Sequence, residues 1–181
     1  MKRKLKILRI ITSLDPKFGG TTRGVIESSK QLVKEGFEVN IVTCDQKKIK
    51  SAELKNIKII NFDSYFGGNY KLSLKLYFWL IKYKDNYDHF IIEGIWQFPT
   101  LVARLALEGK YFVFPHGMLD PFFNINFWKK IKKQIYWYLF EKRNLLNSTS
   151  MLLTTPGEKA TLNNTFVNTN GIKKNIVKYG I

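Results

Sequence analysis

Histidine is scarce in this chain, so its placement is informative: one of the two imidazoles, His116, lies in the stretch Phe114-Pro115-His116-Gly117-Met118-Leu119-Asp120-Pro121, directly after a short apolar run. An imidazole there can donate to, or exchange a proton with, a bound hydroxyl or phosphate, and Gly117 leaves its ring uncrowded. His89, beside Asp88 at the start of another apolar run, reads instead as a surface or capping residue. A second loop carries Glu93-Gly94-Ile95-Trp96-Gln97-Phe98-Pro99. Its indole offers a stacking plane and its amide both donates and accepts, which suits a sugar; a tryptophan packed under a helix start is the alternative. A third loop runs from Thr12 to Gly24 through Phe18-Gly19-Gly20-Thr21-Thr22-Arg23. Paired glycines let a backbone approach a ligand, and amides at the following helix start suit an anion such as a diphosphate. A tight turn with Thr22 as helix cap explains the same residues equally well. The loop is not a G-x-G-x-x-G fingerprint, but Asp45 stands about where a ribose-binding acid would, so a dinucleotide reading stays open.

The elements that must position these loops are legible as an alternation. Residues 5–11, 39–43, 57–62, 89–92, 111–114 and 151–153 read as strands, most of them continuously apolar as strands buried on both faces are. Helical patterns fall between them at residues 23–35, 72–84, 100–107 and 127–147. Repeated βαβ order predicts a doubly wound, mostly parallel α/β sheet of Rossmann type with right-handed crossovers, and ligands then bind outside the carboxyl ends of the strands. All three candidate loops follow strands.

Composition sets the limits. The chain of 181 residues is 45% hydrophobic and 15% aromatic, enough for a core and against disorder, and is read as one domain over residues 1–181. Met1-Lys2-Arg3-Lys4 is a basic tail and not a signal peptide, because Lys6 and Arg9 break the apolar stretch behind it. No run approaches the roughly 18 to 20 apolar residues of a spanning helix. The single cysteine, Cys44, excludes a disulfide framework and a Cys-based zinc site and fits a cytoplasmic setting. A net charge of +16 points to nucleic acid, an anionic membrane surface or phosphate-bearing ligands. Against nucleic acid, the lysines scatter over the N-terminus, residues 46–58 and the long helix, and no nucleic-acid motif occurs. In that helix Phe127, Trp128, Ile131, Ile135, Tyr138 and Leu139 form one face, read as core; Lys129, Lys130 and Lys133 with Tyr136, Trp137 and Phe140 form the other. A surface mixing lysines with aromatics suits an anionic membrane, and aromatics covered by a partner domain are the alternative. Lys129, Lys130, Lys133 and Trp137 are therefore the membrane-proximal candidates.

Together the segments Phe18-Gly19-Gly20-Thr21-Thr22-Arg23, Gly94-Ile95-Trp96-Gln97 and Pro115-His116-Gly117-Met118-Leu119-Asp120-Pro121, followed by Trp128-Lys129-Lys130 and Phe140-Glu141-Lys142-Arg143, resemble the N-terminal domain of family 4 glycosyltransferases, which have the GT-B fold. The likeness runs from about Leu5 to Gly180. It implies one half of a retaining hexosyltransferase that needs no metal or other cofactor and takes a nucleotide-sugar as donor. It further implies Gly19 and Gly20 near the donor phosphates, His116 at the reaction centre, and Thr21, Arg23, Trp96, Gln97, Gly117, Met118 and Asp120 on the acceptor side or lining the cleft. The acceptor implied is a saccharide or a lipid-linked one in cell-surface polysaccharide or lipopolysaccharide synthesis, at the inner face of the plasma membrane. Lys178-Tyr179-Gly180-Ile181 resembles the handover to the donor-binding half, so that half is expected in a separate domain or chain, and these residues alone are expected to be inactive. Glu27 and Glu35 match the family's glutamate spacing but fall in the first helix, on a solvated face. A catalytically inactive interaction domain is the main alternative, with a basic nucleic-acid-binding α/β protein behind it.

Overall fold

The computed structural model describes residues 3–45, 54–64, 68–121 and 127–177. Met1, Lys2, the lysine-bearing residues 46–53, residues 65–67 and 122–126, and the handover segment 178–181 lie outside them.

The alternation predicted from the apolar runs is present. Strands β1 (Lys6–Ile11), β2 (Glu38–Thr43), β3 (Lys58–Asn61), β4 (His89–Glu93), β5 (Tyr111–Phe114), β6 (Ser150–Leu153) and β7 (Lys174–Ile176) form one sheet in the order β3-β2-β1-β4-β5-β6-β7. Every pairing is parallel. The chain winds outward from β1 to β3, returns, and winds outward again from β4, so the topological switch point lies between β1 and β4. Their register pairs Ile7 with His89 and Ile11 with Glu93, which brings the loops after both strands to one edge.

Helix α1 (Gly20–Lys34) covers one face, where Val25 joins Ile11, Leu14 and Ile41 in a small core. Helices α2 (Leu74–Tyr83) and α3 (Phe98–Leu107) cover the other, with Leu76, Leu80, Val102 and Ala106 buried on Leu8, Ile10, Ile92 and Val113. Each such side chain, fully buried, contributes about 1.5–3 kcal/mol. Two elements had no sequence counterpart: the edge strand β7 and the short helix α6 (Pro156–Thr161).

The long helix is three pieces: α4 (Phe127–Tyr136), a π-helical turn over Trp137–Glu141, and α5 (Lys142–Asn147). Its faces are the reverse of the expected ones. Trp137 and Glu141 are fully buried, whereas Phe127, Trp128, Ile135, Tyr138 and Leu139 are 55–70% exposed. Aromatic residues lie on both sides of this helix, so periodicity leaves two candidate core faces. Contacts choose between them: Trp137 and Tyr136 pack on Trp96 at ring-centroid distances of 5.7 and 6.2 Å. Trp137 is thereby removed from any membrane-proximal surface.

Candidate functional site

The charged side chain in the middle of β1 is the unexpected foundation of the site. Arg9 is 2% exposed, and the Nε and Nη2 groups donate to Glu93 Oε1 at 2.7 and 2.6 Å. Nη1 donates to Val25 O (3.2 Å), Ser28 Oγ (2.5 Å) and Ser29 Oγ (3.1 Å) of α1. Glu93, at the end of β4 and with its side chain fully buried, turns its other oxygen to His116 Nε2 at 2.7 Å. Burial pushes the Glu93 carboxyl up, but Arg9 and then His116 outweigh it and hold it below the usual carboxylate range. The result is an ordered line, Arg9–Glu93–His116, running from the interior to the carboxyl edge of the sheet. An ionised Glu93 favours the ring form that carries a proton on Nε2, so the carboxylate sets which imidazole nitrogen donates to it.

Local backbone holds the imidazole in place. His116 has φ 50°, and its ring stacks on Phe114 at 4.6 Å and 11°. The turn is closed by Met118 N donating to Pro115 O (3.0 Å) and Asp120 N to Gly117 O (2.8 Å). Gly117 N also donates to Glu158 Oε1 at 3.1 Å. Glu158 sits in the first turn of α6, where Thr155 Oγ1 caps Glu158 N at 3.0 Å and Glu158 Oε2 accepts from Thr154 N at 2.7 Å. That Thr-x-x-Glu capping arrangement ties the His-Gly turn to the helix after β6.

The loop after β4 is strained at the neighbouring position. Trp96 has φ 66°, rare for a bulky residue, and its N–H donates to the buried Glu141 Oε2 at 3.1 Å. Gly94 is required before it: at φ 98° a Cβ would stand 3.1 Å from Met118 Cε and 3.2 Å from Gln97 Oε1. Gln97 Oε1 accepts from Thr12 Oγ1 at 3.1 Å, joining this loop to the one after β1 across the switch point. Two non-glycine residues at positive φ, after adjacent strands and beside a buried ion pair, collect backbone strain at the carboxyl edge of the sheet, where doubly wound folds generally take ligands.

Between these loops and α4 lies an open groove of about 430 Å³. Ile95, Trp96, Gln97 and Met118 from the loops after β4 and β5 line it together with Lys129 and Lys133 of α4 and with Asn69 and Tyr70, whose hydroxyl lies 3.2 Å from that of Tyr136 on α4. The Trp96 ring also packs on Phe166 at 6.0 Å, so this tryptophan serves as core and as wall at once. A smaller hollow of about 210 Å³ adjoins Gly117 and Asp120, with Glu158 and Thr161 across it. Of the sequence candidates, Trp96, Gln97, Met118, Lys129 and Lys133 therefore meet in one groove, and His116 stands on the same edge over Glu93. Lys130 is exposed and outside the groove.

Gly19, Gly20, Thr21 and Arg23 lie at the start of α1. The helix begins at Gly20, three residues earlier than its pattern suggested, and Gly19 supplies no side-chain cap. A Cβ on either glycine would meet nothing within 4 Å, so the backbone at the start of this 15-residue helix is uncrowded on that side, and Gly19 leaves the helix start without a side-chain cap. Thr22 is not the cap; its hydroxyl is 3.4 Å from the carbonyls of Ser13 and Asp15. Asp45 is committed elsewhere: its carboxylate accepts from Ser13 Oγ, Leu14 N (2.8 Å) and Thr43 Oγ1 (2.7 Å), so it braces the loop after β1. Cys44 is buried with its thiol pushed up to about 12 by that burial, which leaves it unreactive. His89 is exposed at the opposite end of β4 from the site. Among the described residues no three His, Cys, Asp or Glu side chains gather as a metal ion needs. Arg9 and Glu93 were missed from sequence, yet a charge inside a strand buried on both faces is itself a signal that a partner must be found.

No protein-family model and no curated protein sequence matches the chain. Solved structures do. Anabaena HepE, solved with UDP and glucose, superposes with a TM-score of 0.62 at 15% identity, over 98% of this chain and 45% of that one. A glycosyltransferase from Rickettsia africae gives 0.60 at 17% identity, over 98% of this chain and 43% of that one. A Listeria monocytogenes protein assigned as a UDP-N-acetylglucosamine 2-epimerase gives 0.53 at 15% identity, over 90% of this chain and 43% of its own. The chain thus spans less than half the length of each. What the likeness establishes is the fold: a Rossmann-like α/β domain with a seven-stranded parallel sheet, similar to part of the chain of GT-B glycosyltransferases.

Proposed function

We propose that these 181 residues form the acceptor-facing part of a retaining glycosyltransferase that moves a hexose from a nucleotide-sugar to a saccharide or lipid-linked acceptor in cell-surface polysaccharide synthesis. The Arg9–Glu93–His116 line carries the reading. It fixes one imidazole at the carboxyl edge of the sheet, where it can hydrogen-bond a sugar hydroxyl or a leaving phosphate. The uncapped start of α1 is suited to the donor diphosphate, with Gly19 and Gly20 allowing close approach. Taken alone these residues supply one wall of a cleft, and one wall does not exclude water from a transferring sugar; no turnover is expected from them by themselves. Titration of labelled protein with UDP-glucose is expected to shift the amides of Gly20 to Thr22 together with the His116 ring, and His116→Ala to weaken binding roughly three- to tenfold, the loss of one hydrogen bond. Shifts absent from both places would refute the assignment.

The same reading sets the acceptor at an anionic bilayer. Phe127, Trp128, Ile135, Tyr138 and Leu139 form an exposed apolar stripe, Lys130 and Lys132 lie exposed on the same helix, and no acidic residue occurs between Asp120 and Glu141. None of the described helices is long and apolar enough to cross a membrane. Flotation with phosphatidylglycerol vesicles is expected at low salt and lost at high salt. Replacing Lys130 and Lys132 by glutamine should lower partitioning roughly thirtyfold, at about 1 kcal/mol per lysine. Binding indifferent to salt and to both substitutions would remove the membrane from the proposal.

A further inference from the structure

We infer that the groove between α4 and the loops after β4 and β5 takes an acceptor bearing an anionic oxyacid group, a carboxylate or a phosphate, held by Lys129 and Lys133; this rests on the groove being the acceptor side of the site proposed above. The two lysines stand one helical turn apart on the same wall. Lys133 is the informative one. Its Nζ lies over the rings of Trp96 and Phe166 at 5.4 and 5.7 Å, so its ammonium is drawn onto the aromatic floor and away from bulk water. Burial presses it toward the neutral form, and the neighbouring Lys129 adds to that pressure.

No described carboxylate pairs with either lysine, and none lines the groove. The sequence is free of Asp and Glu from Ser64 to Lys84 and from Pro121 to Phe140, the stretches on either side of the groove residues Asn69, Tyr70, Lys129 and Lys133. The buried Glu141 does not line the groove, and its Oε2 accepts from the Trp96 amide. Two cations share one wall with no counter-ion among the described residues, and a ligand anion offsets the cost that burial and Lys129 place on the Lys133 charge. A neutral saccharide has no such term to collect. Asn69, Tyr70 and Gln97, which also line the groove, offer the neutral donors and acceptors that hydroxyls need.

The test compares methyl glucuronide, methyl glucoside and short-chain phosphatidic acid by amide shifts at Ile95, Trp96, Gln97 and Met118, without any nucleotide. The glucuronide or the phosphatidic acid should bind at least tenfold more tightly than the glucoside. Lys133→Met, and Lys133→Gln as a second variant should the first disturb packing on Trp96, should each remove most of that preference, with Lys129→Met giving a smaller loss. Response to the glucuronide identifies an acidic saccharide; response to the phosphatidic acid alone identifies a lipid-borne phosphate. Equal affinity for the neutral glycoside, no binding by either anion, insensitivity to both lysines, or shifts confined to Gly20 through Thr22 overturns the inference. Because no donor is present, that failure is separate from a failure of UDP-glucose to reach α1 and His116.

Discussion

Replacing Glu93 by alanine is expected to destabilise the protein by about 3–5 kcal/mol at neutral pH, because Arg9 is left as a buried charge without its partner. Arg9→Ala should cost a similar amount by stranding the carboxylate. The pair sits where the sheet is deepest, between β1 and β4, and water cannot replace either group. Removing both charges together has a different outcome: Arg9→Met with Glu93→Leu trades an ion pair for apolar volume, and such exchanges are often neutral or stabilising. Ser28 and Ser29 would not be orphaned, since each already donates to a carbonyl of its own helix at 2.6 Å. Denaturant midpoints measure all three variants. A loss under about 1 kcal/mol for the single substitutions would show that the pair is not desolvated as described.

The double variant also separates stability from positioning. With Glu93 gone, His116 Nε2 loses its carboxylate acceptor at 2.7 Å, so the tautomer balance of that ring should change while the fold persists. Imidazole nitrogen shifts report this directly. A His116 spectrum identical to that of the parent would mean that contacts other than Glu93, the Phe114 stacking and the turn after β5 among them, set the state of the ring.

What could be read from sequence followed from how much of the signal was local. The central strands announced themselves as apolar runs because a parallel sheet is covered on both faces. Strand β7 did not, since Lys174-Asn175-Ile176 is short, polar and at an edge, and only pairing with β6 makes it a strand. Helix α6 is below the length at which periodicity speaks, although Thr155-Pro156-Gly157-Glu158 carries a capping pattern that was available. His116 and Trp96 were found through their loops, but the reason they matter structurally, positive φ secured by Glu158 and Glu141 from distant helices, is tertiary. The reversed faces of α4 have the same origin. A stretch with aromatics at Phe127, Trp128, Tyr136, Trp137, Tyr138 and Phe140 is amphipathic in two directions, and the π-helical turn shifts the phase midway.

Glu141 is expected to be uncharged in the folded protein at neutral pH, and stability to fall as pH rises from about 5 to about 8. Burial raises its pKa from 4.5 to about 8, against the opposing pull of the Trp96 amide and Asn144. The native state therefore binds this proton more tightly than the unfolded chain. Its contribution is complete below the unfolded value and is lost as pH climbs through the folded one, a change of roughly 3–5 kcal/mol at 1.36 kcal/mol per unit. Glu93 tilts the profile the other way, losing stability as pH falls, so the two buried carboxyls can be told apart by slope alone. Glu141→Gln keeps the shape and the acceptor for Trp96 N–H but cannot ionise; it should flatten the slope between pH 5 and 8 and be the more stable protein at pH 8. Glu141→Ala should be destabilised at every pH, since Trp96 N–H loses its acceptor at a strained φ of 66°. A Gln variant with the parental slope would assign the pH dependence to another group. A lost slope accompanied by shifted amides at Ile95 and Gln97 would tie the protonation of this buried acid to the shape of the groove, because Glu141 holds the amide of the groove residue Trp96.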